Sequence, residues 1–308
     1  MGVQWRIVLY ATDKPIANKA AQNAFLRVKE LNKLLSDYDP ESELNKLCRL
    51  SGPGKPITVS DPLLEVLKKS QALSRETEGA FDVTISPVVR LWRRARRQNK
   101  LPDPTRLADA RAKVGFELLK ISEQNQTVEL LKDDMRLDLG GIAKGYAADV
   151  ALKVLKEHGV NRAMIDASGD LVLGDPPPDS CGWKIGISSS DALQAEIDPF
   201  LYLHNIAVAT SGDALQHVVI DGKRYSHIVN PHTGLGLTDQ SRVTVIAPDG
   251  TSADSLASAI SVLGPVDGIK LLTKKPGTAC LILLHENGKI KSYESPCFSR
   301  YEVDQNQQ

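Results

Sequence analysis

Arg136-Leu-Asp-Leu-Gly-Gly-Ile-Ala-Lys-Gly-Tyr-Ala-Ala-Asp149 joins a short apolar run, two adjacent glycines and the opening of a helix. The pattern predicts a strand that enters a glycine turn and leaves as a helix from Ile142 to Glu157. Tyr146, Val150, Val154 and Leu155 recur at helical spacing, and Gly159 is the stop. Paired glycines let a ligand approach the backbone closely. The first turn of a helix offers unpaired N–H groups and a positive dipole end, which favour an anion. Lys144 adds a mobile positive charge. One reading is therefore a phosphate or pyrophosphate cradle; the other is a plain tight turn with no ligand. No Ser or Thr follows Gly145 to hold Mg²⁺, so this is not a Walker loop. The glycine spacing also differs from the dinucleotide fingerprint.

Working outward, the chain opens on a strand, Gln4–Tyr10, followed by a helix from about Ala17 to Leu35 that Ser36-Asp-Tyr-Asp-Pro40 breaks. A second helix is expected over Asp61–Glu76, and Gly79–Ile85 reads as extended. Pro87 opens another helix whose basic tail holds Arg93, Arg94, Arg96, Arg97 and Lys100. That tail reads as a solvated cationic helix end matching the dipole. Beyond the glycine turn, two short strands surround Ser168-Gly-Asp170. Further strands lie near Trp183–Ile187 and Phe200–Leu203. Asp221-Gly222 joins Gln216–Ile220 to Lys223–Val229 as a hairpin. Arg242–Ile246 is a strand, Thr251–Leu263 a helix, and Ala279–His285 with Lys289–Tyr293 a last hairpin. Mostly antiparallel strands mixed with helices predict an α+β fold in a single domain spanning residues 1–308.

Composition excludes some classes. The chain has 308 residues, with 38 Lys and Arg against 38 Asp and Glu. Zero net charge gives no sequence-independent attraction to nucleic acid. No apolar run stands out as long enough for a membrane span. Cys48, Cys181, Cys280 and Cys297 are scattered without a C-x-x-C pair, so a zinc or redox site is not expected. They read as buried small apolar residues or as one disulfide.

Three segments carry candidate chemistry. In Thr251-Ser-Ala-Asp-Ser-Leu-Ala-Ser258, Asp254 and Ser258 lie four apart, on one helix face. A carboxylate and a hydroxyl suit a hard cation such as Mg²⁺, while Thr251-x-x-Asp254 also reads as a capping box. His227, near a strand end in Tyr225–Gly234, is either a general base or a strand-face histidine with a hydrogen-bond partner. Ser211 and Asp213 in Ala209-Thr-Ser-Gly-Asp213 either bind a ligand or form a turn. Tyr38 either stacks on a flat ring or packs on the core.

Six stretches together resemble the ApbE flavin transferases, the FAD:protein FMN transferases. In order they are Leu35–Asn45, Gly79–Pro87 with Leu91-Trp92, Asp138–Asp149, Ala209–Asp213, Ser226–Gly234 and Ala253–Ser258. The resemblance implies that FAD is the substrate, that Mg²⁺ assists cleavage of its pyrophosphate, and that FMN passes to a Ser or Thr of an acceptor protein while AMP leaves. It implies that Asp254, Ser258 and the Gly141 carbonyl hold the metal and that His227 assists the acceptor hydroxyl. It sets Tyr38 against the flavin and Lys144 near the nucleotide, and puts Asn45, Asp82, Ser211, Gly212, Asp213 and Thr233 among the FAD-binding positions. An FAD pyrophosphatase or a non-catalytic flavin carrier on the same scaffold are the alternatives. Ser258 stands where the family usually has Thr, Asn230 where Asp is common, and Ile165–Asp170 in place of an Asn-x-Gly-Gly stretch. The expected location, periplasmic or otherwise outside the cytoplasm with a lipoprotein anchor not seen in this sequence, rests on the resemblance alone.

Overall fold

The computed structural model of the chain describes residues 2–187, 200–212, 217–286 and 289–301. In chain order the elements are β1 (Arg6–Leu9), α1 (Lys14–Leu35), α2 (Glu43–Leu50), β2 (Ile57–Thr58), α3 (Asp61–Glu76), α4 (Ser86–Gln98) and α5 (Pro104–Arg111). Then come β3 (Leu119–Ser122), β4 (Thr127–Leu130), α6 (Ala143–Glu157), β5 (Ala163–Ala167), β6 (Asp170–Leu173), β7 (Trp183–Gly186) and β8 (Phe200–Leu203). The last are β9 (Ala207–Gly212), β10 (His217–Ile220), β11 (Lys223–Ser226), β12 (Gln240–Ala247), α7 (Gly250–Leu272), β13 (Ala279–Glu286) and β14 (Lys289–Glu294).

The central sheet runs β1-β5-β6-β9-β12-β13-β14, antiparallel throughout. The α+β expectation holds. Strand periodicity sends alternate side chains to opposite faces. On β12, Val243, Val245 and Ala247 join the large core beneath the helices, while Ile246 joins a second core under the β7–β8 hairpin. Small residues let the helices approach: Ala147, Ala148 and Ala151 on α6 and Ala253 and Ala257 on α7 are buried. α6 packs between α1 and α7, and α7 lies on β9 and β12. A third cluster joins Val88 and Trp92 of α4 to Ile220, Tyr225 and Val229. There the Trp92 Nε1–H donates to the Gly234 carbonyl at 2.6 Å and fixes the turn after β11.

Four expectations need correction. Residues 136–139 form no strand, although Met135, Leu137 and Leu139 are buried at strand-like alternation. The Asp138 N–H donates to the Val83 carbonyl at 2.8 Å, so the segment is tied to a loop rather than a ladder. Gly79–Ile85 is not extended: Val83–Ile85 is one 3₁₀ turn capped by Asp82, which accepts from the Thr84 N–H at 2.8 Å. α7 is long and apolar enough by composition to cross a membrane. Here it is the core helix, broken at Gly264 (φ 77°) before Pro265. The four cysteines are all free, and Cys181 is exposed rather than buried.

Candidate active site

A cleft of about 880 Å³ opens between the glycine turn, the Tyr38 loop, α4, the ends of β9 and β12, and the turn after β11. Nine of the residues singled out from the sequence line it: Tyr38, Asp82, Gly141, Lys144, Ser211, Gly212, His227, Asp254 and Ser258.

The floor comes from the starts of α6 and α7. The N-cap of α7 is Asp249, which accepts from the Ser252 N–H at 2.8 Å. The capping box over Thr251–Asp254 therefore does not form. Thr251 sits inside the helix with its hydroxyl donating to Asp149 at 2.6 Å, and Asp254 turns toward the cleft. The Gly145 N–H donates to the Asp254 Oδ2 at 3.1 Å. One turn on, Ser258 lies against the glycine turn: a Cβ on Gly141 would fall 2.7 Å from the Ser258 Oγ. Gly141 is thus needed for close approach, as the sequence suggested, but what it meets is Ser258.

Charge is concentrated on this floor. Lys144 pairs with Asp170 and stands 3.8 Å from the Asp254 Oδ1. Both carboxylates are buried. Burial pushes Asp254 up to about 7, with Lys144 opposing and Asp170 adding to the rise. Asp170 is raised too, by burial first. Burial works against the Lys144 charge, yet Asp254 and Asp170 outweigh it and its pKa is raised. Two buried carboxylates share one ammonium, which leaves room for additional positive charge. No group of three or more His, Cys, Asp or Glu side chains forms a metal cage among the described residues. A buried carboxylate with a hydroxyl one helical turn on, packed against the Gly141 backbone, is an oxygen donor set that fits Mg²⁺, which takes few protein ligands and keeps waters or phosphates.

The opposite wall is built on Arg93. Its guanidinium bonds Asp37 at 2.7 Å and Asp138 at 3.2 Å and lies 4.4 Å from the centre of the Tyr38 ring. Tyr38 remains 72% exposed and lines the cleft, so its ring is not packed in the core. Burial holds Asp138 above its usual range, Asp37 adds to this, and the Gly140 N–H and Arg93 oppose it. Arg93 and Arg96 thus line the cleft and are not part of a fully solvated helix end. The sequence held a signal for this. Val89, Trp92, Arg93 and Arg96 all line the cleft at i, i+3, i+4 and i+7, one face of α4.

Other candidates separate. Asn45 does not line the cleft. Its amide donates to the carbonyls of Ser36, Asp37 and Asp39 at 3.3, 3.1 and 2.8 Å, so it shapes the Tyr38 loop. Thr233 is exposed in the turn outside the cleft, where its Oγ1 accepts from the Leu235 N–H at 3.2 Å. Asn230 holds that turn by accepting from the His232 N–H at 2.8 Å. Ser211 and Gly212 end β9 and are a strand rather than a turn, while Asp213 lies outside the described residues. His227 is half-buried just beyond β11. Asp170, which the sequence reading left without a role, is the second carboxylate of the floor. Its signal was an acidic residue opening an otherwise apolar strand.

Comparison with known proteins places the chain in a family. The ApbE family model matches residues 1–282. The FAD:protein FMN transferase of Klebsiella pneumoniae (strain 342) is 27% identical over 98% of this chain and 87% of its own length. That of Vibrio cholerae serotype O1 (strain ATCC 39541 / Classical Ogawa 395 / O395) is 30% identical over 89% of this chain and 82% of its own length. Among solved structures, the flavin transferase ApbE from Vibrio cholerae matches with a TM-score of 0.86 at 28% identity, covering 98% of this chain and 96% of that one. The ApbE protein from Thermotoga maritima MSB8 matches with a TM-score of 0.85 at 30% identity, covering 98% and 97%. A family match over residues 1–282, with solved ApbE structures of the same fold, settles the assignment: the chain belongs to the ApbE family.

Proposed function

We propose that this protein is an FAD:protein FMN transferase that moves FMN from FAD to a Ser or Thr hydroxyl of an acceptor protein and releases AMP. The observation that carries the reading is the floor of the cleft, where Asp254, Lys144 and Asp170 cluster beside Ser258 and Gly141. Relatives matched over 89% and 98% of the chain bear the name of this activity.

In this reading the acceptor oxygen forms a bond to the FMN phosphorus while the bond to the AMP phosphate oxygen breaks. His227 takes the acceptor proton, which makes the hydroxyl a competent nucleophile. Lys144 offsets phosphate charge, and Tyr38, backed by Arg93, stacks on the flavin ring. Asp254, Ser258 and the Gly141 carbonyl would hold Mg²⁺, which when bound neutralises charge on the pyrophosphate oxygens. The remaining work is positioning, which dominates phosphoryl transfer.

The test is incubation of the protein with FAD, Mg²⁺ and a candidate acceptor. Flavin fluorescence that stays with the acceptor after denaturation is the expected result. FMN and AMP without labelled protein would make the enzyme a hydrolase, and unchanged FAD would make it a carrier.

A further inference from the structure

The starts of α6 and α7 cap one another. On α6 the N-cap position is Ile142, which has no side chain able to accept, and the Gly145 N–H is met by Asp254 from α7. In return Asp149, two turns into α6, reaches the first turn of α7. Its Oδ1 accepts from the Gly250 N–H at 2.6 Å. Its Oδ2 accepts from the Thr251 N–H at 2.9 Å and from the Thr251 hydroxyl at 2.6 Å. The helices touch between these bonds, where a Cβ on Gly145 would lie 2.0 Å from the Gly250 carbonyl oxygen. Asp149 does not itself line the cleft.

We propose that Asp149 is a positioning residue for the metal-holding pair Asp254 and Ser258. The inference rests on the reading above, in which these two side chains and Gly141 bind Mg²⁺. Asp254 and Ser258 are carried by α7, whereas Gly141 precedes α6. The set therefore exists only at one register of the two helices. A helix advances about 1.5 Å and turns about 100° per residue, so a small slip of α7 separates the ligands by more than Mg²⁺ coordination tolerates. Asp249 satisfies the first turn of α7 locally and says nothing about register. Asp149 binds the same turn from the other helix, and its three bonds fix where α7 starts relative to α6. A carboxylate that orients ligands from behind acts on metal affinity before it acts on chemistry.

Asp149→Asn keeps an acceptor for the Gly250 N–H but sets an amide donor against the Thr251 donors. Thr251→Val removes a single bond of the three and leaves the charge. Each variant is titrated with Mg²⁺ in the presence of FAD, with bound-flavin fluorescence and melting temperature as readouts. For Asp149→Asn we expect FAD affinity without Mg²⁺ to stay within about threefold of wild type. The Mg²⁺ half-saturation should rise about 10- to 100-fold, the usual effect of losing a group that orients metal ligands. At saturating Mg²⁺ kcat should recover. Thr251→Val should shift the half-saturation the same way by less, and it decides the matter if Asp149→Asn does not fold. A lower melting temperature with wild-type Mg²⁺ half-saturation would make Asp149 a helix cap and overturn the inference. The reading beneath it has its own control. If wild type gives no saturable Mg²⁺ response, or Asp254→Asn keeps that response, the metal assignment itself falls.

Discussion

Asp254 is a carboxylate kept from water beside one lysine and a second carboxylate, and its titration is the most exposed consequence of that position. Its pKa is raised from 3.8 to about 7. Between those values the folded state holds a proton that the unfolded chain has released. Stability of the metal-free protein is therefore full below about pH 4, falls as the pH rises toward 7, and is level beyond. Asp82, Asp149 and Asp170 are raised by burial and act in the same direction. In EDTA the melting temperature should be higher at pH 5 than at pH 8. Asp254→Asn, which retains an acceptor for the Gly145 N–H, should narrow that difference; an undiminished difference would locate the effect at the other carboxylates. His227 acts at a different step. His227→Ala should lower the rate of FMN transfer by roughly 10²–10⁴-fold while FAD affinity holds within a few-fold. A collapse of melting temperature instead would assign His227 to the packing of the β11 turn.

Among elements, the glycines of the 136–149 stretch have separate duties. Gly141→Ala brings a methyl to 2.7 Å from the Ser258 Oγ, which can rotate aside, and to 3.1 Å from the Ser258 Cβ, which has to give by only a few tenths of an ångström. The variant should fold with near-native stability and show a weakened Mg²⁺ response. Gly145→Ala meets the backbone of Gly250 at 2.0 Å, where nothing can rotate. It should cost about 3 kcal/mol or more, at the upper end of overpacking, and denaturant unfolding would read the difference. The sequence made α3 legible to the residue, because Leu63, Val66, Leu67 and Leu73 form a buried stripe along it. It marked the faces of α1 and α6 only in part: Leu26 of α1 is exposed, and the buried face of α6 is made largely of alanines rather than Val150 and Val154. It hid α2, whose stripe is Leu44, Leu47 and Cys48 over two turns. β9 read as a polar junction because its last residues are Thr210, Ser211 and Gly212, although its first three are buried. In the site, spacing set Asp254 and Ser258 on one helix face but did not separate a metal pair from a capping box, which the structure excludes. The link of Lys144 to Asp170 and the tie of Arg93 to Tyr38 were not legible, since each joins elements distant along the chain and carries no local periodicity.

Across the whole molecule, the cleft lies where the large core meets the small cluster around Trp92. Trp92 is buried, packs against Tyr225 with ring centres 5.3 Å apart and planes tilted by 39°, and bonds the Gly234 carbonyl. Trp92→Ala should cost about 3–5 kcal/mol, and the loss should be local. Hydrogen exchange should quicken over residues 217–237 while β5, β6 and β12 stay protected, and transfer should slow because His227 sits on the loosened side. Equal exchange in both regions would show one cooperative unit. The mutual capping of α6 and α7 also has a consequence for timing. The groups that meet are 101 to 109 positions apart in the chain. A ribosome adding ~5–20 residues per second takes roughly 5–20 s to cover that distance. Throughout that interval the nascent polypeptide already carries its glycine turn and Lys144, yet lacks Asp254 and Ser258. In the proposed reading, synthesis past Ser258 is the activating event: a shorter chain has no means of spending FAD.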